Sequence, residues 1–233
     1  MATVYAVGVG PGDPELLTRK AERILRSADV ILAPASNPAE ASVALEIIRE
    51  FIDERRQEII VHKFPMTADR SLLVPAWQEG AELLAAHAEA GRNIAFITIG
   101  DPLFYSTFIY LLRLLREQWP HIPMEIIPGI SSINAAASVA AVPLVEGDEK
   151  MVVIPATAGT EVIEAALATC ETVVLLKVKP RYGAIVELLQ KAGKEGQVTF
   201  VERVGSPRQK VLTDFSQIAE HTPDYLSLMI IKS

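Results

Sequence analysis

Chemistry in this 233-residue chain is concentrated where glycine and an oxygen-bearing side chain follow an apolar run. In Val7-Gly8-Val9-Gly10-Pro11-Gly12-Asp13-Pro14 the run ends in a glycine-rich turn, with Asp13 suited to cap a helix and Pro14 to be its first residue. Gly8-x-Gly10, with Asp29 about twenty residues on, has the outline of a dinucleotide-binding fingerprint. That reading fails on two counts. Asp13 occupies the third glycine's place, where its charge repels a pyrophosphate, and Asp29 precedes the Val30–Leu32 run instead of following it. A second corner, Ile99-Gly100-Asp101-Pro102-Leu103-Phe104-Tyr105, also follows an apolar run. If their strands are parallel neighbours, both corners face one crevice at the strands' carboxyl ends. An acid-lined crevice favours a cationic or hydroxyl-rich ligand over a phosphate. Pro128-Gly129-Ile130-Ser131-Ser132 forms a third corner, whose glycine and serines would let backbone amides approach a small ligand. Each corner alone also reads as a tight strand-to-helix turn, with Asp101 or Ser131 as a cap.

Other chemistries lack their residues. His62, His87, His121 and His221 have no metal-ligand spacing, and the single Cys170 adds none, so no metal site is expected. Cys170 cannot form an intrachain disulfide and reads as a small buried hydrophobe. No serine or cysteine has a histidine partner at a recognisable spacing, which removes support for covalent hydrolysis. Net charge −7 argues against wholesale nucleic-acid binding. Half the residues are apolar, yet no run approaches the ~20 that a membrane helix needs, and Met1-Ala2-Thr3 leads straight into Val4–Val7 without a signal-peptide pattern. A soluble, cytoplasmic protein without membrane or nucleic-acid partners is expected.

The elements that must carry these corners alternate. Strand-like runs cover Val4–Val9, Val30–Leu32, Ile59–Val61, Asn93–Ile97, Met124–Ile127, Met151–Ile154, Thr172–Leu176 and Val198–Val201. Helical spacing covers Glu15–Ser27, Ala39–Phe51, Ala76–Ala90, Ser106–Gln118, Ser131–Ala141, Glu161–Leu167 and Arg181–Ala192. This rhythm predicts an α/β protein with a largely parallel sheet. Further strand-like pieces at Arg208–Leu212 and Tyr225–Ile231 lack a full helix between them, so a second lobe with a mixed sheet is expected. The polar turn after Pro143 divides an N-terminal lobe, 1–143, from a C-terminal lobe, 144–233.

Taken together, the three corners in this order and spacing resemble the tetrapyrrole methylases, S-adenosylmethionine-dependent methyltransferases of sirohaem and corrin synthesis. The resemblance runs from Val4 to the C-terminal strand. Within the family the chain looks most like the branch that methylates carbon 20 of precorrin-2 or cobalt-factor II in cobalamin synthesis. The segments carrying this are Pro65-Met66-Thr67-Ala68-Asp69, Asp101–Leu111, Leu176-Lys177-Val178 and Val201-Glu202-Arg203. Sister branches share the corners and differ around Met66 and Tyr105.

The resemblance implies two α/β lobes with the active site between them, a homodimer, S-adenosylmethionine as cofactor and a tetrapyrrole as substrate. It carries cofactor contacts onto Pro11, Ile99, Gly100, Asp101, Phe104, Ser131, Ser132, Leu176, Lys177, Val204 and Gly205, mostly through backbone atoms. The Asp101 carboxylate would complement the positive end of the methionine moiety. Asp69, Tyr105 and Tyr110 are candidates for catalytic work near the substrate, where a carbon gaining a methyl must lose a proton. An eight-carboxylate macrocycle requires cations, and Lys177, Lys179 and Arg181 follow one strand while Arg203, Arg208 and Lys210 follow the next. Arg203 and Arg208 are the expected substrate ligands, because a guanidinium fork pairs with a carboxylate. The rival readings are a nucleotide-dependent oxidoreductase, another methylase branch and a non-enzymatic tetrapyrrole carrier.

Overall fold

A computed structural model describes residues 2–36 and 42–233. The elements in chain order are β1 (Val4–Gly8), α1 (Arg19–Ser27), β2 (Val30–Ala35), α2 (Val43–Ile48), β3 (Glu58–Lys63), α3 (Arg70–Glu89), β4 (Ile94–Thr98), α4 (Phe108–Gln118) and β5 (Met124–Ile127). There follow α5 (Ser132–Ala140), β6 (Met151–Pro155), α6 (Thr160–Thr169), β7 (Thr172–Leu176), α7 (Tyr182–Lys191), β8 (Val198–Glu202), β9 (Lys210–Leu212), α8 (Phe215–Glu220) and β10 (Ser227–Lys232). Two compact units divide between Ser131 and Ser132, so α5 belongs to the second unit, whereas the sequence division grouped it with the first.

The first unit holds five parallel strands in the order β3-β2-β4-β1-β5. Alternate side chains leave opposite faces of a strand. Val4, Ala6, Val30, Leu32, Ile94 and Phe96 therefore pack against buried residues of α3 and α4. Val7, Ile31, Ala33, Ala95 and Ile97 pack on the other face against α1 and α2. Burial on both faces explains why these strands read as continuous apolar runs rather than alternating ones. The sequence α/β reading holds here.

The strand order also fixes where a ligand site can form. Connections after β1 and β2 run toward β3, and those after β3 and β4 run toward β5, so right-handed crossovers put the two helix pairs on opposite faces. Neighbouring β1 and β4 thus send their chains in opposite directions, which opens a crevice at their carboxyl ends.

Local chemistry moves several helix boundaries. The expected helix Glu15–Ser27 is broken at Leu17. Asp13 caps only a 3-10 turn, Pro14–Leu16, and Thr18 then caps α1 by accepting a hydrogen bond from the Ala21 amide at 3.2 Å. Thr18 needs an extended backbone to do so, and that breaks continuity. Helix α3 begins at Arg70, ahead of the expected Ala76, and passes through Pro75. The Ser71 carbonyl that Pro75 cannot bond lies in the exposed first turns, where water can satisfy it. Of the expected segment Ala39–Phe51, positions 39–41 lie outside the described residues; the rest forms α2 and a 3-10 turn, Arg49–Phe51.

The second unit is mixed, as expected, in the order β6-β7-β10-β8-β9. Strands β6 and β7 are parallel; β10 runs antiparallel to both β7 and β8, and β9 antiparallel to β8. Leu228 of β10 is in register with Leu176 on one side and Val201 on the other, so β7 and β8 end on the same sheet edge. The short helix α8 was not anticipated. It buries only Ile218, too little for a periodic signal, and starts because the Asp214 carboxylate accepts the Ser216 amide at 2.8 Å.

Candidate ligand-binding site

In the first unit the three corners lie side by side, because β4, β1 and β5 are neighbours and parallel. Beyond the strands the Val9 amide donates to the Thr98 carbonyl at 2.9 Å, and the Gly100 amide to the Gly10 carbonyl at 2.7 Å. A Cβ on Gly8 would lie 2.5 Å from the Gly100 carbonyl oxygen and 2.6 Å from the Gly129 nitrogen. Only glycine allows this approach of three backbones. Asp101 then ties the corners together. One carboxylate oxygen accepts the Leu103 amide at 2.8 Å, while the other accepts the Gly129 amide at 3.1 Å. This half-buried carboxylate thus closes its own turn and ties two corners together; the helix cap expected of it is not made, because α4 starts only at Phe108 with Thr107 as its N-cap. Pro11 and Gly100 are buried and Ile99 is half-buried in the same turns.

Around this backbone cradle the ionisable side chains of 8–13, 99–105 and 128–131 are Asp13, Asp101 and Tyr105. These segments themselves carry no lysine, arginine or histidine to receive a phosphate. Leu103, Phe104 and Tyr105 are 51%, 39% and 45% exposed, an apolar surface directly beside polar backbone, which is the composition of a small-molecule site. The Phe104 and Tyr105 rings meet edge to face at 5.0 Å. Tyr105 has φ +50°, a left-handed conformation unusual for an aromatic residue and of a kind found at ligand clamps. Neutral backbone amides, an apolar shelf and carboxylates suit a nucleoside attached to a positively charged sulfonium, so the residues fit S-adenosylmethionine.

The remaining expected residues of this unit stand on α3 and α4. Asp69 is the N-cap of α3, and one of its oxygens accepts both the amide and the hydroxyl of Ser71, at 2.9 and 2.7 Å. These bonds, the hydroxyl's first, hold its carboxyl below the usual carboxylate range. The Tyr110 ring stacks on Trp77 with centroids 3.9 Å apart and planes 2° from parallel, and the Arg113 guanidinium lies 5.9 Å from its centre. Two residues that sequence reasoning passed over, Thr98 and Ser106, pair their buried hydroxyls at 3.1 Å. Ser106 also accepts the Phe108 amide at 3.2 Å, anchoring the loop that carries Asp101. A hydroxyl two residues before an apolar helix was the available signal.

In the second unit Lys177 and Arg203 immediately follow β7 and β8, and both adopt positive φ, +55° and +48°. Leu176 is half-buried, Val204 is buried, and the Gly205 amide donates to the Gln209 side-chain carbonyl at 2.8 Å. Ser131 ends the first unit and Ser132 opens α5; both are half-buried. Arg208 is exposed in the turn before β9, while Arg203 is engaged within the unit: its Nε and Nη2 reach one oxygen of Asp224 at 2.8 and 2.6 Å. Burial opposes ionisation of Asp224, but hydrogen bonds from Arg203 and the Leu226 amide outweigh it and leave the carboxyl below its ordinary range. Nearby, burial first and the charge of Glu202 second push the Tyr182 phenol up to about 12, while its hydroxyl donates to the Ile218 carbonyl at 2.8 Å.

Comparison with known proteins places these features in context. Residues 3–219 match the family model of the Tetrapyrrole (Corrin/Porphyrin) Methylases. A cobalt-precorrin-2 C(20)-methyltransferase of Salmonella typhimurium is 35% identical over 230 residues, covering 98% of this chain and 95% of that protein. A precorrin-2 C(20)-methyltransferase of Sinorhizobium is 32% identical over 236 residues, covering 98% and 94%. Among solved structures, the uroporphyrin-III C-methyl transferase of Thermus thermophilus complexed with S-adenosylhomocysteine superposes with TM-score 0.67 at 24% identity, covering 100% of this chain and 98% of that one.

Proposed function

Because the chain belongs to the tetrapyrrole (corrin/porphyrin) methylases, we propose that it transfers the methyl of S-adenosylmethionine to carbon 20 of precorrin-2, metal-free or carrying cobalt, in cobalamin biosynthesis. The observation that carries this reading is the glycine-built cradle at the ends of β1, β4 and β5, edged by carboxylates and an apolar shelf, whose own segments carry no phosphate-binding cation.

When bound, S-adenosylmethionine supplies a methyl group already activated by its sulfonium. The backbone of Pro11, Ile99, Gly100 and Asp101, with Phe104, Ser131 and Ser132, orients it, and the family resemblance carries further contacts onto Leu176, Lys177, Val204 and Gly205. Asp101 contributes negative charge toward the cationic end. Orientation and exclusion of water supply several kcal/mol of the roughly 7–11 available from such alignment. The exposed Arg208, with Lys177, Lys179, Arg181 and Lys210 on the same sheet edge, receives the substrate's carboxylates. Asp69 Oδ2, which its cap bonds leave open, takes the proton that carbon 20 loses, and the hydroxyls of Tyr105 and Tyr110 hydrogen-bond the substrate or the water that relays that proton. The enzyme acts as a cytoplasmic homodimer, a reading supported by the family resemblance; among the described residues no helix is long and apolar enough to cross a membrane.

Anaerobic incubation with S-adenosylmethionine and either precorrin-2 or its cobalt form, followed by mass spectrometry and carbon NMR, tests the proposal. One added methyl at carbon 20 is expected. A methyl at another carbon would refute the position, and macrocycle binding without turnover would turn the reading toward a carrier.

A further inference from the structure

We propose that Asp224 and Glu202 are positioning residues for the methyl donor: they hold the Val204–Gly205 turn in place through Arg203, whose guanidinium serves this turn and not the substrate's carboxylates. The inference rests on the S-adenosylmethionine reading above and adds residues that it did not include.

Arg203 leaves β8 at φ +48°, a conformation that is strained for a side-chain-bearing residue and persists only where neighbours impose it. Three contacts impose it here. The Arg203 amide donates to the Leu226 carbonyl at 2.7 Å, and two guanidinium nitrogens converge on Asp224. Asp224 is in turn held by its own amide, which donates to the Glu202 carboxylate at 2.6 Å, and by the Ser227 hydroxyl, which donates to its carbonyl at 2.6 Å. Glu202 is 9% exposed, and the same oxygen meets His221 Nε2 at 3.2 Å. The segment from His221 to Ser227 is thereby strapped to the end of β8. Immediately downstream, the Ser206 amide returns to the Arg203 carbonyl at 3.0 Å and Gln209 holds the Gly205 amide. The backbone of Val204 and Gly205 is thus fixed from both sides by side chains that need touch no ligand.

A guanidinium already neutralised by a partner 2.6 Å away, with its side chain 19% exposed, is a poor receptor for a carboxylate on an incoming macrocycle. Its removal should disturb the donor's turn before it disturbs the tetrapyrrole.

Titration calorimetry with S-adenosylhomocysteine, combined with steady-state kinetics, tests this on the full-length protein. Asp224→Asn and Arg203→Gln should each weaken S-adenosylhomocysteine and raise KM for S-adenosylmethionine on the order of tenfold, while KM for the tetrapyrrole stays within about twofold. Asp224→Glu, which restores the charge, should recover part of the loss. Gln209→Ala, at an exposed side chain, should weaken S-adenosylhomocysteine severalfold without lowering the unfolding temperature, and so serves if the half-buried pair cannot be broken without unfolding. Unchanged S-adenosylhomocysteine binding in these variants, or an Arg203→Gln effect confined to the tetrapyrrole KM, would overturn the inference while leaving the function intact. A wild-type protein that binds no S-adenosylhomocysteine would overturn the functional reading and this inference with it.

Discussion

Replacing Gly8 by alanine tests the packing of the three corners most directly. The new Cβ would stand 2.5 Å from the Gly100 carbonyl oxygen, 2.6 Å from the Gly129 nitrogen and 2.7 Å from the Gly129 Cα. A carbon and a carbonyl oxygen settle at about 3.3 Å or more, so one corner must retreat by close to an ångström. All three obstacles are backbone, and no side chain can rotate away. Overpacking of this kind costs about 1–3 kcal/mol. Retreat also strains the Gly100-to-Gly10 and Gly129-to-Asp101 hydrogen bonds, each contributing roughly 1 kcal/mol. A loss of about 3–4 kcal/mol is expected in urea unfolding, with S-adenosylhomocysteine affinity falling by up to about 100-fold if the corner shifts by that ångström. Gly183→Ala in α7 is the control: nothing lies within 4 Å of its added Cβ, and the same chemical change there should leave stability equal or higher. A Gly8→Ala protein within about 1 kcal/mol of wild type and binding the product equally would refute the backbone contact on which the site is built.

Asp101→Asn removes one of two acceptor oxygens, leaving the Leu103 or Gly129 amide without its partner; urea unfolding should show a loss of about 1–3 kcal/mol, and a neutral result would sink the corner-tying role. Tyr110→Ala should lose about 1 kcal/mol or more of stability with its Trp77 stack, whereas Tyr110→Phe should keep it; equal losses in calorimetric scans would mean the hydroxyl, not the ring, matters. Asp224, whose carboxyl is depressed in the folded state, contributes stability that is present above the ordinary carboxylate range and lost as pH falls through its lower folded value. Asp224→Asn should therefore flatten the acid limb of a stability–pH profile, and an unaltered limb would contradict the pairing with Arg203.

Strand runs, caps and glycine turns are legible in the sequence because they are set by neighbours within a few residues. Runs such as Met124–Ile127 and Thr172–Leu176 coincide with β5 and β7, since β-branched apolar stretches have few other stable uses. The corners were visible for the same reason: glycine, proline and a capping carboxylate directly after such a run leave the chain little choice. Where local signals competed, as Asp13 and Thr18 did for one helix start, the boundary was misread.

Tertiary structure decided what those pieces meet. That β1 lies between β4 and β5 depends on pairings between residues about a hundred positions apart, which no local window encodes, and it is this order that turns three separate turns into one backbone cradle. The fate of Arg203 has the same cause. By residue type it is a fork for a substrate carboxylate, but β10 returns between β7 and β8 and brings Asp224 to it, so the fold pairs the charge before any ligand arrives.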